Sequence, residues 1–261
     1  MSEREKILRF YRASGDEDIA AKLLDLAESG LRNRKYKVSE FLDPYGYTVA
    51  ETVAAHFDRI KLASDGGYQG AERVKAVFSD EDFEGKVVYG ITAVAIAWDK
   101  RYYQISHRDV LGSIMALGIK REVTGDIVMN PEGCHLLIDA AMRDFIIANL
   151  TRIGSAPVSL TEVSLEAVAA REEKMKEIRT TVSSLRLDAI AAAGFGTSRT
   201  KMAAEIDADK LKVNWQEAKS SAQSIKTGDV VSMRGRGRLE VCEVLGQTKK
   251  GRYSVLLRRY L

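Results

Sequence analysis

The sequence predicts an α+β chain in three parts. These are a helical N-terminal region (residues 1–82), a ferredoxin-like βαββαβ middle domain (83–168) and a C-terminal α+β module (183–261), the last reached through a linker at 169–182. Three observations predict this. Apolar residues recur at helical spacing between residues 16 and 62. β-branched runs and helical runs alternate between 86 and 165. After a charged stretch, short helices broken by glycine lead into strands.

In the first part, Ile19, Leu23, Leu24 and Ala27 predict a helix over 16–31, with Gly30 where it would stop. FLDPYG (41–46) reads as a turn, because the residue before a proline avoids helix. Helical spacing returns over 48–62 through Val49, Val53, Ala54, Phe57 and Ile60. DGGYQGAERV (65–74) is a glycine-rich loop. It lacks the Gly-Lys-Ser/Thr of a nucleotide-binding loop and reads as a tight turn that brings Glu72 and Arg73 to another element, or Arg73 to RNA.

In the middle domain, KVVYGITAVAIAW (86–98) predicts a strand with a bend at Gly90. A helix follows over 106–118, with Ser106 as cap and Gly118 as stop. IKREVTGDIVM and CHLLID are two strands around the turn NPEG (130–133). A helix over 140–154 and a strand over 156–165 complete the βαββαβ order, which hosts many functions and names none. Arg108, Lys120 and Arg121 are a basic surface or a solvated rim.

The terminal part carries the charge. From residue 182 onward there are 15 Lys and Arg against 8 Asp and Glu, while the rest holds 25 against 29, and the whole chain is +3. A basic module on a slightly acidic body is a layout of nucleic-acid binders. RLDAIAAAGFGTSRTKMAAEI (186–206) predicts two helices around a glycine break, the second capped by Thr197 or Ser198. Arg199 and Lys201 lie in its first turn with Ser198, where free N–H groups and the dipole favour a phosphate. SMRGRGRLEV (232–241) read as one strand puts Arg234, Arg236 and Arg238 on one face, spaced by about 6.6–6.8 Å. That approaches the spacing of successive phosphates. Gly235 and Gly237 suit a close approach of backbone or ligand. In LKVNW (211–215) the same alternation pairs Lys212 with Asn214.

Other classes find little support. Cys134 and Cys242 are the only cysteines and lie far apart, against a disulfide scaffold and for a reducing, cytoplasmic setting. His56, His107 and His135 have no metal-site spacing, and no metal or cofactor is expected. No apolar run approaches a membrane span, and the first residues lack a secretory signal.

The stretch 186–206 with LKVNW and GDVVSMRGRGRLEV resembles the RNA-binding domain named after ribosomal small-subunit protein four, here the S-four domain. The resemblance implies RNA contacts at Arg186, Ser198, Arg199 and Lys201, assisted by Lys212, Asn214 and Arg234. With FLDPYG, GGYQGAER and LGSIMALGIKREVTGDIVM, nearly the whole chain resembles the YlmH family, which has a cyanobacterial and plastid branch. The family resemblance implies rRNA and tRNA as partners, on large ribosomal subunits that hold peptidyl-tRNA in quality control. The plastid branch implies instead an assembly role tied to photosystems, with the N-terminal region open to a protein partner. Pseudouridine synthases also carry S-four domains and place their aspartate in an Arg-Leu-Asp. Here that tripeptide, 186–188, lies within the S-four helix, so no catalytic residue is expected.

Overall fold

A computed structural model describes residues 3–168 and 175–260. The chain divides into two compact units, Met1–Arg171 and Glu172–Leu261.

The first unit begins with helices α1 (Glu3–Arg12) and α2 (Glu17–Asn33), strand β1 (Tyr36–Leu42), helix α3 (Pro44–Ala54) and strands β2 (Ile60–Asp65) and β3 (Val74–Asp80). The strands form an antiparallel sheet in the order β1-β3-β2. Leu23, Leu24 and Ala27 of α2 and Val49, Ala50 and Val53 of α3 bury against Phe78 and Ala76 of β3. The N-terminal region holds the expected helices and adds a three-stranded sheet under them that the sequence reading did not give. The predicted helix over 48–62 is two elements, because α3 ends at Ala54 and the chain returns as β2. Gly30 does not end α2. It sits inside the helix, where a Cβ would lie 2.9 Å from the Phe78 carbonyl oxygen, and the stop is Arg34 at φ 48°. In FLDPYG, Phe41 and Leu42 close β1, and Asp43 is the cap of α3, accepting from the Gly46 amide at 2.8 Å. Pro44 opens α3, where its missing N–H is not needed.

The same unit continues with β4 (Ile91–Ala97), α4 (His107–Ala116), β5 (Thr124–Met129), β6 (Gly133–Asp139) and α5 (Arg143–Asn149). Two short pairing segments, β7 (Arg152–Ile153) and β8 (Ala156–Pro157), precede β9 (Ser159–Val163). The sheet order β5-β6-β4-β9, antiparallel throughout, is the ferredoxin-like arrangement expected from the sequence. Ser106 caps α4 in a full capping box with Asp109. The strand predicted from residue 86 begins only at Ile91, after Gly90 at φ 63°. The predicted helix over 140–154 is shorter, because the chain pairs again at Arg152. On one sheet face Val94, Ile96, Leu136 and Ile138 pack with Val110 and Ile114 of α4 and Ile146 of α5. On the other face Ala93, Val128 and Leu137 are covered by Tyr68, Leu165 and Val168.

The glycine-rich loop docks on that second face. The Glu72 amide donates to Asp126 Oδ2 at 2.7 Å, and Tyr68 Oη donates to the same oxygen at 2.9 Å. The Arg73 guanidinium donates to the carbonyls of Phe41 (2.8 Å), Thr124 (3.0 Å) and Arg121 (3.3 Å). Arg121 in turn donates to the carbonyls of Thr124 and Gly125. So Arg73 and Arg121 are turned inward and do not extend a basic surface. Burial pulls the Arg73 pKa down, and burial with the nearby Arg73 charge pulls Arg121 down to about 10.

The second unit comprises β10 (Met175–Val182), α6 (Leu187–Phe195), α7 (Arg199–Asp207), β11 (Leu211–Val213), β12 (Gln216–Glu217), β13 (Val230–Met233), β14 (Gly237–Gln247) and β15 (Tyr253–Tyr260). Its sheet runs β10-β15-β14-β13-β11-β12. Residues 175–182, expected in the linker, are its edge strand, with eight residues in register on β15 from Met175↔Tyr260 to Val182↔Tyr253. The linker expectation for 169–174 lies outside the described residues. Leu187, Ile190 and Ala191 of α6 and Met202 and Ile206 of α7 bury against Val231, Leu239, Val241, Val255 and Leu257. One sheet face is thereby filled by the helix pair.

Replacing Arg73 by Met would strand the Phe41 carbonyl, while Thr124 keeps its bond from Arg121 at 2.9 Å. We expect a loss of about 1–3 kcal/mol, the cost of one unsatisfied buried group, read as a lower urea midpoint for the first unit.

Candidate nucleic-acid interface

Arg186 is the N-cap of α6, extended at φ −88°, ψ 151°, and bridges Ser224 through the backbone. In the first turn of the helix, Asp188 is buried. It accepts from Arg186 Nε at 3.3 Å and Nη2 at 3.2 Å, and from Arg199 Nη2 at 2.8 Å. Arg199 Nη1 also donates to Ser183 Oγ at 2.9 Å. The side chains of Arg186 and Arg199 are 44% and 46% exposed, that of Asp188 only 8%. One buried carboxylate therefore holds two guanidiniums from behind and leaves their outer edges open. Burial pushes the Asp188 carboxyl up, but the hydrogen bonds from Arg186 and Arg199 outweigh this and hold its pKa below the ordinary aspartate value.

Ser198 caps α7, its Oγ accepting from the Lys201 amide at 3.2 Å. The first turn of α7 has no acidic side chain, and Lys201 is exposed there. The helix N-terminus, Arg199 and Lys201 lie together at this end. Arg236 joins them from the turn between β13 and β14. Its Nη1 donates to the carbonyl of Phe195, the last residue of α6, at 3.1 Å. The Arg259 guanidinium lies 5.4 Å from the Phe195 ring centre. Arg186, Ser198, Arg199, Lys201, Arg236 and Arg259 thus line the junction of the two helices.

The remaining predicted residues are placed otherwise. SMRGRGRLEV is not one strand. Gly235 and Gly237 stand at φ 78° and 83°, and residues 234–236 form the β13–β14 turn, closed by Arg236 N donating to the Met233 carbonyl at 3.0 Å. Positive φ is cheap only for glycine, so the repeated glycines build a hairpin where strict alternation predicted a comb of arginines. Gly237 does meet a backbone: a Cβ there would lie 2.5 Å from the Tyr260 carbonyl oxygen. Arg234 is exposed on the turn. Arg238 lies on the sheet face away from the helices, its guanidinium 4.6 Å from the Tyr260 ring centre, so it does not share a face with Arg236. LKVNW also stops short as a strand. Asn214 and Trp215 take φ 50° and 65° in the turn between β11 and β12. Asn214 Nδ2 donates to Asp229 Oδ1 at 3.0 Å, and its Oδ1 accepts from the Val230 amide at 2.9 Å. Its amide serves the fold, while Lys212 on β11 is exposed.

Sequence reasoning missed Arg259. The alternation of β15 was the available signal. Val255, Leu257 and Arg259 point to the helix side, and there the apolar row ends in a cation. Among the described residues no group of three or more His, Cys, Asp or Glu could hold a metal ion, and no helix is long and apolar enough to cross a membrane.

Family models place these features. The model described as "YlmH, N-terminal" matches residues 15–83, "Putative RNA-binding domain in YlmH" matches 82–167, and the S4 domain matches 185–231. A Bacillus subtilis (strain 168) protein, "Ribosome-associated protein quality control protein P2", is 33% identical over 232 residues, which is 86% of this chain and 88% of that one. The chain belongs to the YlmH family. A solved structure, "Cell division protein ylmH from Streptococcus pneumoniae", aligns with 59% of this chain and 95% of its own at a TM-score of 0.51 and 21% identity, which speaks to the fold. The S-four match ends at residue 231, so Arg236 and Arg259 reach the helix junction from beyond it.

Asp188→Asn keeps the side-chain shape and removes the charge that holds Arg186 and Arg199. Because the native pKa is lowered, the carboxylate stabilises the fold above the unfolded value, and that share is lost as pH falls through the native one. The variant should lose about 1–2 kcal/mol at pH 7, the half-exposed arginines being partly screened. The gap to wild type should close below about pH 4, as measured by urea unfolding of both proteins across pH.

Proposed function

We propose that the chain is a non-enzymatic RNA-binding factor of the ribosome. In this reading its S-four domain grips rRNA, and tRNA where the two share the site, on large subunits that carry peptidyl-tRNA during quality control. The observation that carries the reading is the pair of guanidiniums held by Asp188 beside the acid-free N-terminus of α7. Guanidinium forks bind phosphate oxygens bidentately, and the helix end adds backbone donors. The relative named for ribosome-associated quality control supports the ribosome as the place of action, and with it a cytoplasmic setting.

The same pair argues against a nucleophilic role for Asp188. A carboxylate buried between two arginines is a weak base and offers little access to a uridine ring. Its work here is to aim cations.

Affinity for RNA should follow phosphate neutralisation. With four to six contacts, the logarithm of affinity falls against that of salt with a slope of roughly −3 to −5. Arg199→Ala with Lys201→Ala removes two contacts. The slope should become shallower by roughly 2, and co-sedimentation with large subunits should drop strongly at physiological salt. A folded double variant that sediments like wild type would overturn this placement. Recovery of membrane-complex subunits in place of ribosomal proteins in a pull-down would overturn the ribosome itself.

A further inference from the structure

RNA-binding modules built on a βαββαβ sheet commonly stack bases on aromatic side chains of the open sheet face. In the middle domain that face is closed. Ala93, Val128 and Leu137 lie under Tyr68, Leu165 and Val168, and a Cβ on Gly67 would sit 3.0–3.2 Å from Ile91, Leu137 and Leu165. Contact with RNA by this domain must use another surface.

We propose that the loop after β4 and the adjoining face of α4 form a site for single-stranded RNA, in which an unpaired base stacks on Tyr102 and its phosphate meets Arg108. This rests on the RNA-binding reading above and adds a second site to it. Tyr102 is 75% exposed, more than any other large apolar side chain described. Its loop is held in shape. The Asp99 carbonyl accepts from the amides of Tyr102 (3.2 Å) and Tyr103 (3.1 Å), and the Asp99 carboxylate accepts from the Arg101 fork at 3.0 and 2.6 Å. Lys100 Nζ ties the loop to the β5–β6 hairpin through the Asn130 carbonyl at 2.6 Å. The Arg101 guanidinium lies 5.5 Å from the Tyr102 ring centre. An aromatic ring on so fixed a loop can stack a base at little cost in ordering.

Beside the ring opens a cavity of about 690 Å³, lined by Tyr102, Tyr103, Gln104, Arg108, Ser113 and the segment 153–156. That volume is within the range of small-ligand sites, roughly 300–1,000 Å³, and admits a nucleotide. Gln104 and Ser113 offer donors and acceptors for a base edge. Arg108 is exposed and forms no ion pair among the described residues, since the neighbouring Asp109 carboxylate is engaged by the Ser106 amide and hydroxyl at 2.9 and 2.7 Å. Gly112 leaves the α4 wall bare, and a Cβ there would meet nothing within 4 Å. A ring with a cation beside it, a free guanidinium and a polar-edged cavity suit a stacked base with its phosphate, whatever the base.

The test uses the full chain, a labelled short oligouridine and a labelled structured rRNA fragment, with affinities read by fluorescence anisotropy at one salt concentration. Tyr102→Ala should weaken oligouridine binding by roughly 5- to 100-fold, the range set by one lost stack. Arg108→Ala should weaken it less, and in a salt-dependent way. Gly112→Leu projects a side chain from the open α4 wall into the cavity and should weaken it as Tyr102→Ala does. All three should bind the structured fragment like wild type, whereas Arg199→Ala with Lys201→Ala should show the opposite selectivity. Thiouridine photo-crosslinks from the oligomer should map to the peptide containing Tyr102. Wild-type oligouridine affinity in both Tyr102→Ala and Gly112→Leu, or crosslinks confined to the S-four domain, would overturn the second site and leave the S-four reading standing. Structured-fragment binding unchanged in the Arg199/Lys201 double variant would sink the S-four placement alone.

Discussion

The buried carboxylate of Asp188 is the constraint on which the S-four site depends. Two arginines near one another repel, and free guanidiniums on a surface sample many rotamers. Asp188 removes both problems. It accepts from Arg186, its neighbour at the start of α6, and from Arg199 at the start of α7, so one acid fixes the second helix against the first. The arrangement is tolerable because the acid is buried and hydrogen-bonded while the cations stay half exposed. The outward charge of the trio remains +1, and α7 adds its dipole and Lys201 at the same place. Lysine could not replace either arginine without loss. A guanidinium has enough N–H groups to bind Asp188 with one edge and a phosphate with another, whereas an ammonium is a single point charge.

The middle domain shows how a shared fold can lose its usual binding face. Its sheet order and helices are those expected of βαββαβ, but the glycine-rich loop from the N-terminal layer lies across the sheet. Asp126 receives that loop through the Glu72 amide and the Tyr68 hydroxyl, and Arg73 reaches three carbonyls on two strands and a turn. These bonds join the N-terminal layer and the middle domain into one unit, consistent with the single compact body that runs to Arg171. The covered face leaves the sheet's end, where the aromatic and basic loop after β4 emerges, as the place of the proposed second site.

What was legible in the sequence followed from local rules with one winner. Ser106 before α4 and Ser198 before α7 are caps whose chemistry needs no tertiary context, and each is where the sequence puts it, whereas the FLDPYG turn holds the Asp43 cap of α3, which the sequence reading did not name. The βαββαβ order was legible because its strands are long apolar runs bounded by clear turns. The errors came where alternation was extended through residues that break it. Gly235 and Gly237 turned the arginine comb into a hairpin, and Asn214 and Trp215 left the extended region although neither is glycine. Asn214 is held there by its paired bonds to Asp229 and Val230, a tertiary cause that no local pattern displays. The charged run before residue 183 looked like a linker because an edge strand has one partner and can carry charge on its open side. The strands of the first layer were hidden for a related reason. β2 buries almost nothing of its own, and its place is set by the register on β3.

The two basic regions differ in the way they would meet RNA. The S-four junction is a set of fixed cations with few flat surfaces, and its strength is phosphate neutralisation, which suits a folded RNA whose backbone is already in place. The loop after β4 has the reverse balance. Its acids are spent inside the loop, its free charge is mainly Arg108, and its prominent feature is an exposed ring beside an open cavity. A ring gains most from a base that has left its stack, and a base in a duplex cannot reach it. On the two proposals, the S-four junction takes ordered backbone and the loop after β4 takes unpaired bases. Under both proposals, the RNA that engages each surface is a folded RNA with an exposed single-stranded segment.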